Sequence, residues 1–282
     1  MRLEGTNKGL VIFDWAGTLV DFGCRAPMEA FLDAFAEIGL PIDEATARKP
    51  MGAHKRDHVR EILQDSNIMA RARKELRREP DKRFGDEIYD LFSRRLLTLL
   101  PKYAEPIPGA VETLKCLRAR DLVIGSTTGY TRSMMDVLEP ISRAAGVATD
   151  GLICADEVPQ GRPAPWACFR LAEKFEIYPM SSCVKVGDTT ADVAEGLNAG
   201  MQVVAVSESG NEVGLSPAQL EALEESNREA CVTAAAERLR AAGAHAVLRS
   251  VAELPAWWDE HFLKPEQHTG TRQQFANISV NI

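Results

Sequence analysis

The chain has 282 residues, of which 33 are basic and 41 acidic, so its formal net charge is −8. This length allows a substantial core, and the acidic balance argues against binding to nucleic acid or to a membrane surface. No run of about 18 apolar residues predicts a membrane-spanning helix. The six cysteines form no Cys-x-x-Cys pair, and the first predicted strand leaves no room for a signal peptide, so we expect a reduced, cytoplasmic location.

Short apolar runs rich in β-branched residues recur along the chain and predict buried strands. They lie at Leu10–Phe13, Leu122–Ile124, Gly151–Cys154, Val184–Val186, Val203–Val206 and Ala246–Leu248. Amphipathic segments separate most of them, at 110–120, 131–145, 165–175, 190–199 and 217–242. The alternation predicts an α/β fold, a Rossmann-like open parallel sheet with helices on both faces.

One long stretch interrupts this alternation. Between the first strand and Pro106 the pattern is helical throughout, most clearly at 26–38, 54–63 and 86–100. We therefore expect residues 22–100 to form a helical cap domain inserted into an α/β core made of residues 1–21 and 101–264. The polar segment 265–282 predicts either a loose tail or a lone edge strand.

Asp14 directly follows the first predicted strand and precedes the turn-forming Gly17 and Thr18. Ligands bind at the carboxyl ends of strands in open parallel sheets, so this carboxylate is well placed for chemistry. The run resembles the first motif of the haloacid dehalogenase superfamily, whose leading Asp attacks phosphorus. Most phosphatases of that superfamily carry a second Asp two residues later, which protonates an oxygen leaving group. Here that position is Ala16, which implies that the leaving group is not an alkoxide.

Two loops after predicted strands offer groups that bind a phosphoryl oxygen. The run 125–129 supplies small hydroxyl residues and backbone amides, although such a cluster is also typical of an ordinary turn. Arg162, between Gly161 and Pro163, places a cation in a rigid loop that opens a helix. Its alternative interpretation is a solvated or structural arginine.

Asp188 ends another predicted strand, and Asp192 follows one helical turn later on the same side. Together with Asp14, these carboxylates suit an oxygen-preferring ion such as Mg²⁺. Either one alone is better explained as a helix cap or a first-turn acid. Their joint occurrence in a chain that carries Asp14 favours the metal site.

The segment 47–60 is basic and carries Lys55 and His58. If a helix begins near Ala53, these two side chains share one face of its first turns. Cationic neighbours and the positive end of the helix would favour the neutral amine of Lys55, the form that makes an imine. A solvated basic face is the alternative, and composition alone favours it.

The chain as a whole resembles the phosphonoacetaldehyde hydrolase family, the phosphonatase branch of the same superfamily. The resemblance covers about residues 9–250 and rests on the runs 13–18, 21–24, 47–52, 57–60, 124–132, 158–159, 161–163, 165–166 and 186–189, together with Lys55.

The resemblance implies that Lys55 forms a Schiff base with an aldehyde while Asp14 takes the phosphoryl group. It implies a magnesium site made by four residues: Asp14, the backbone carbonyl of Ala16, Asp188 and, in the outer shell, Asp192. It assigns phosphoryl contacts to Thr128 and Arg162. The residues implied to line the substrate side and to handle protons are His58, Cys24, Met51, Gly52 and Tyr130.

The expected activity is therefore magnesium-dependent cleavage of the carbon–phosphorus bond of a small phosphonate, in the breakdown of 2-aminoethylphosphonate. A general phosphomonoester phosphatase or phosphomutase is one alternative, and Ala16 with Lys55 counts against it. A non-catalytic binding scaffold is another, and the complete set of acids, hydroxyls and cations counts against that. The resemblance also implies a homodimer through the cap, for which Phe31, Leu32 and Phe35 are candidate contacts unless they are buried in the core.

Overall fold

The computed structural model describes residues 9–262. Six strands form one sheet: β1 Leu10–Phe13, β2 Val123–Thr127, β3 Gly151–Ile153, β4 Val184–Gly187, β5 Gln202–Val206 and β6 Ala246–Leu248. All neighbouring pairs are parallel, in the order β3-β2-β1-β4-β5-β6. The predicted open parallel sheet is thereby confirmed. The predicted tail at 265–282 lies outside the described residues.

The central strand β1 lies between β2 and β4, and the chain crosses from one side of it to the other after β3. Ligands bind at such a switch point, outside the carboxyl ends of the strands. Register brings these ends together, since Phe13 pairs with both Ser126 and Val186. The residues that follow β1, β2 and β4 therefore meet at one edge of the sheet.

Helices connect the strands along the chain, and one more helix follows β6. Their bounds are α1 Arg25–Glu37, α2 Glu44–Arg48, α3 Lys55–Gln64, α4 Ser66–Glu75, α5 Lys82–Leu99, α6 Ala110–Arg118, α7 Arg132–Ala144, α8 Trp166–Lys174, α9 Thr190–Asn198, α10 Pro217–Glu221, α11 Glu225–Ala241 and α12 Leu254–Phe262. Among the described residues, none of these helices is both long and apolar enough to cross a bilayer.

Helices α1 to α5 stand between β1 and β2 in the chain, where the sequence predicts an inserted helical cap, and we call them the cap. The ring of Phe31 on α1 stacks on that of Phe92 on α5, with centroids 4.1 Å apart. Phe31 and Phe35 are completely buried in the hydrophobic cluster that the cap shares with one face of the sheet. These two rings are core residues, so they do not supply a dimer contact.

Two helix boundaries differ from the predicted ones by more than two residues or by an interruption of the helix. The segment 217–242 is two helices, because Glu224 adopts an extended backbone conformation with ψ of 146° and the second helix starts after it. Helix α5 starts four residues earlier than its apolar pattern predicts, because the side chain of Asp81 accepts a hydrogen bond from the amide of Phe84 at 2.8 Å. Amphipathic periodicity misses both features, since each depends on a local backbone conformation.

Candidate active site

Three carboxylates meet at the carboxyl edge of the sheet. Asp14 follows β1 and Asp188 follows β4, and the amide of Asp14 donates to the carbonyl of Val186 at 2.9 Å. Asp192 lies in the first turn of α9. One oxygen from each carboxylate lies within 4.8 Å of the others, and all three residues are buried. Buried carboxylates this close repel one another unless cations stand among them.

Asp188 accepts hydrogen bonds from three donors, two in the segment between β1 and α1 and one between β5 and α10. Thr18 Oγ1 donates to Oδ1 at 3.0 Å, while Cys24 Sγ at 3.3 Å and the amide of Asn211 at 2.8 Å donate to Oδ2. Burial, together with the neighbouring charges of Asp14 and Asp192, raises the pKa of Asp188 well above its usual range. A divalent cation would relieve this repulsion, and the oxygen-only donor set fits a hard ion such as Mg²⁺.

Arg162 supplies the central positive charge of the core side. Its guanidinium lies 2.6 Å from Asp14 Oδ1, 2.8 Å from Asp192 Oδ1 and 3.0 Å from Glu195 Oε2. The side chain is only 3% exposed, so the alternative of a solvated arginine is excluded. Burial raises the pKa of Asp14 and outweighs the opposing charge of Arg162.

Lys185 is a second buried cation in this cluster, and it is not among the site residues predicted from the sequence. Its Nζ lies 2.8 Å from Asp192 Oδ1 and 3.1 Å from Glu195 Oε2, and it donates to Thr127 Oγ1 at 3.0 Å. Burial acts to raise the pKa of Asp192, but Arg162 and Lys185 outweigh it and hold that pKa below the usual value. Asp192 is thus already paired with two cations. The sequence does contain a signal for this buried charge, since Lys185 stands inside an otherwise apolar, buried strand.

The loop after β2 forms another wall of the site. Thr128 lines the cavity, and its Oγ1 accepts a hydrogen bond from the amide of Tyr130 at 3.1 Å. The Tyr130 hydroxyl is buried and has no hydrogen-bond partner among residues 9–262. Burial raises the pKa of Tyr130 well above its usual value, so the phenol keeps its proton and can donate it in a hydrogen bond.

Lys55 faces this cluster from the cap. It is the first residue of α3, is 3% exposed, and lines the same cavity as Asp14. Its Nζ lies 3.7 Å from Met51 Sδ and 5.6 Å from the centre of the Tyr130 ring. The solvated basic face is therefore wrong for Lys55.

Burial is the main reason that the pKa of Lys55 falls to about 8, and the charge of Arg162 lowers it further. The sequence predicts a neutral amine for a different reason, the basic neighbours along α3. Two of those neighbours, Arg56 and Arg60, are exposed and pair with Asp86 and Asp57. Desolvation therefore dominates, and the cation that contributes lies across the cavity.

His58 is buried inside the cap and does not line the cavity. Its Nε2 lies 2.8 Å from the carbonyl oxygen of Ala47, and its ring packs against Phe31 with centroids 3.9 Å apart. Burial and the charge of Lys55 hold its pKa well below the usual value, so the ring is neutral. Since the carbonyl accepts from Nε2, Nδ1 carries the lone pair and has no partner among the described residues. A proton-handling role for His58 stays a prediction.

Cap and core approach each other closely at two glycines. Gly52 has a φ of +89°, and a Cβ there would lie 2.4 Å from Thr189 Oγ1. A Cβ on Gly129 would lie 3.0 Å from the carbonyl oxygen of Ala53. Side chains at these positions would hold the two parts of the molecule apart.

The cavity between cap and core has a free volume of about 20 Å³, room for about one water molecule. The predicted residues that line it are Asp14, Ala16, Cys24, Met51, Gly52, Lys55, Thr128, Tyr130 and Arg162. Its Cys24 thiol stays neutral, because burial and the charge of Asp188 raise its pKa. The structure therefore brings a buried lysine with a lowered pKa, a buried arginine and the carboxylate of Asp14 to one closed space.

A family model for haloacid dehalogenase-like hydrolases matches residues 9–200. A phosphonoacetaldehyde hydrolase from Bacillus cytotoxicus is 41% identical over 87% of this chain and 93% of its own length. The chain belongs to the phosphonoacetaldehyde hydrolase family. This family stands within the haloacid dehalogenase-like hydrolases, in agreement with the fold and with the position of Asp14 after β1.

Two further relatives bear on the extent of the match. A bifunctional phosphonoacetaldehyde hydrolase/aminoethylphosphonate transaminase from Clostridioides difficile is 42% identical over 90% of this chain, which spans 40% of that longer protein. A crystal structure of a phosphonoacetaldehyde hydrolase-like protein from Oleispira antarctica superimposes with a TM-score of 0.87 at 34% identity, covering 90% of this chain and 91% of that one. The family likeness therefore extends over cap and core together.

Proposed function

We propose that this chain hydrolyses phosphonoacetaldehyde to acetaldehyde and phosphate, in the breakdown of 2-aminoethylphosphonate. The observation that carries the proposal is the buried Lys55, whose pKa falls to about 8, in one cavity with Asp14 and Ala16. A phosphatase needs no amine at this place, and it needs an acid where Ala16 stands. The identity to relatives with this name supports the same activity.

The first step is the attack of the neutral Lys55 amine on the aldehyde carbon, with loss of water, to give an imine. The protonated imine then serves as an electron sink. A carbon–phosphorus bond does not break to a bare carbanion at a useful rate, so this sink is the reason for a lysine in the cap. The small cavity keeps bulk water away from the imine.

In the second step, a carboxylate oxygen of Asp14 bonds to phosphorus and the carbon–phosphorus bond breaks. The bonding electron pair moves into the imine, which becomes a neutral enamine, so no proton has to be delivered to an oxygen. This explains why the position of Ala16 carries no acid. Arg162 and Thr128 bind the phosphoryl oxygens during the transfer.

In the last steps, water attacks phosphorus and releases phosphate from Asp14. The enamine takes a proton on carbon and returns to an imine, and hydrolysis of that imine frees acetaldehyde and the Lys55 amine. Atoms balance, since one water is lost when the imine forms, one is consumed at phosphorus and one at the imine.

We propose Asp14, the carbonyl oxygen of Ala16 and Asp188 as the holders of Mg²⁺, with Asp192 in the outer shell. The three clustered carboxylates and the raised pKa of Asp188 support this assignment. When bound, the ion would neutralise charge on the phosphoryl oxygens. Asp192 would act through its pairs with Arg162 and Lys185.

Three further statements belong to the proposal. The chain divides into a core of residues 1–21 and 101–264 and a cap of residues 22–100. It works in the cytoplasm, in line with its free cysteines, and it binds neither nucleic acid nor membrane. It forms a homodimer through the cap, on the strength of the family resemblance.

The test is phosphate release from phosphonoacetaldehyde, compared with release from an aryl phosphate such as p-nitrophenyl phosphate. We expect release from the phosphonate that depends on added Mg²⁺ and is lost in Lys55→Ala. Aryl phosphate hydrolysis that survives the loss of Lys55, without phosphonate cleavage, would favour a general phosphatase. No release from either compound would favour a binding scaffold.

A further inference from the structure

Arg48, the last residue of α2, contacts the turn before α1 and the segment between β5 and α10. Its Nη1 donates to the carbonyl of Gly23 at 2.9 Å and to Asn211 Oδ1 at 3.2 Å, and its Nη2 donates to the carbonyl of Gly214 at 2.6 Å. The side chain is 14% exposed. The planar guanidinium reaches these acceptors from two nitrogens, whereas a lysine carries all its donors on a single nitrogen.

The segment 207–216, between β5 and α10, receives most of these hydrogen bonds, and we call it the β5 loop. It packs directly on Asp188: the amide of Asn211 donates to Asp188 Oδ2 at 2.8 Å, and a Cβ on Gly210 would lie 2.6 Å from Asp188 Cβ. Asn211 therefore contacts Arg48 with its side chain and Asp188 with its backbone.

The β5 loop is shaped around the guanidinium. Gly214 has a φ of +71°, and a Cβ there would lie 2.7 Å from Arg48 Cζ. Asn211 is 7% exposed. The loop therefore fits closely around the guanidinium of Arg48. Other arginine pairs on the cap are exposed and lack such a fit.

We propose that Arg48 is a positioning residue, a latch that fastens the closed cap to the β5 loop and so fixes the carboxylate of Asp188. The inference rests on the proposed function only for its kinetic part. A cavity with room for about one water has to open before a phosphonate enters. Arg48 moves with the cap while Asn211 and Gly214 stay with the core, so the latch is made only on closure.

The direct test is hydrogen–deuterium exchange of the β5 loop in the free protein. In Arg48→Ala we expect the amides of Asn211 and Gly214 to exchange about tenfold faster than in the parent, because the loop loses its hydrogen bonds with Arg48. Arg48→Lys should restore little of the protection. Arg95→Ala is the matched control, since Arg95 is a half-exposed cap arginine that pairs with Glu37 at 2.9 Å, and it should leave the loop unchanged. Unchanged exchange in Arg48→Ala would overturn the latch.

The kinetic test uses the pair formed by Arg48 and Asn211. We expect kcat/KM for phosphonoacetaldehyde to fall about 100-fold in Arg48→Ala, the scale of a misplaced catalytic group. Asn211→Ala should cause a smaller loss, and the double variant should be no worse than Arg48→Ala, because the side-chain contact that Asn211→Ala removes is already lost in Arg48→Ala. Fully additive losses would contradict the latch. If the parent protein releases no phosphate from this compound, the proposed function fails, whereas the exchange experiment still decides the latch.

Discussion

On the core side of the cavity, Arg162 and Lys185 stand among buried carboxylates, whereas on the cap side Lys55 stands beside a thioether and two aromatic rings. Arg162 lies 2.6 Å from Asp14 and Lys185 lies 2.8 Å from Asp192. The hydrogen-bond partner of Lys55 among the described residues is Met51 Sδ, at 3.7 Å. Burial is nearly complete on both sides.

This difference shows how two similarly buried lysines acquire opposite pKa shifts. Burial lowers the pKa of Lys185, but the carboxylates Asp192 and Glu195 reverse the shift and raise it. Lys55 has no such partner, so its pKa falls to about 8. The core side thus provides positive charge that suits a phosphoryl group. The cap side provides a lysine that loses its proton more easily and so can supply a neutral amine.

Removing the nucleophile from the core side should have the largest effect. We expect Asp14→Asn to lower phosphate release from phosphonoacetaldehyde by about four orders of magnitude or more, because an amide is a poor nucleophile. Steady-state phosphate release measures it, with Asp90→Asn, an exposed change on the cap, as the control. Substantial residual turnover with an intact fold would refute the nucleophile assignment.

Adding a carboxylate to the core side should come next. In Ala16→Asp we expect activity on the phosphonate to fall about 100-fold, because a further negative charge meets the incoming phosphonate. Gain on phosphate esters should be weak at most. Ala16→Asn adds the same bulk without the charge and should retain more activity. Native turnover that is unchanged in Ala16→Asp would defeat the argument from the missing acid.

Separating the two sides should have a smaller effect. Gly52 and Gly200 both have positive φ, of +89° and +73°, but a Cβ on Gly52 would meet Thr189 at 2.4 Å while one on Gly200 would meet nothing within 4 Å. Each Ala variant should lose about 1 kcal/mol of unfolding free energy from backbone strain. Only Gly52→Ala should also lose kcat/KM, by about tenfold, because the cap no longer closes fully. Equal kinetic losses in the two variants would contradict the close approach.

Changing pH should have the mildest effect and should act on the cap side. The neutral amine of Lys55 is the reactive form, so kcat/KM should rise with pH and level off above about 8. A lysine that served only as a positive clamp would give the opposite profile, a fall above pH 8.

The same pKa predicts a change in stability. The unfolded chain binds more protons at this position between pH 8 and about 10.5, so the contribution of Lys55 to stability should rise with pH there. In Lys55→Met this part of the rise should disappear from denaturant unfolding measured across that range. An identical pH dependence in the variant would show that the pKa of Lys55 is not lowered.

Strand ends were predictable from the sequence, because a few neighbouring residues are enough to identify each of them. A short apolar run that ends in a carboxylate identified the positions of Asp14 and Asp188, and register then brought them together. Lys185 and Glu195 were missed, since each sits in a regular element and acquires its partners from distant segments. Arg48 was part of a matching run without a role, because two of its three acceptors lie more than 160 residues away along the chain.

The cap was predictable as a helical insertion, but its interior was not. Helical periodicity gave α1, α3 and most of α5, while the contact of His58 with the carbonyl of Ala47 depends on a turn between two helices. The low pKa of Lys55 was expected from its neighbours along the chain, but it arises from burial against the core. The residues that bury Lys55 come from distant parts of the chain, so the local sequence does not reveal this effect on its pKa.

The central claim is that Lys55 forms an imine with the substrate, and reductive trapping tests it most directly. Borohydride is added to the protein with phosphonoacetaldehyde or with acetaldehyde, and peptides are mapped by mass spectrometry. We predict irreversible inactivation and a two-carbon adduct on Lys55. Lys55→Arg keeps the charge but forms no imine, so it should be nearly as inactive as Lys55→Ala and should carry no adduct. An unmodified Lys55, or an adduct on another lysine, would contradict the account.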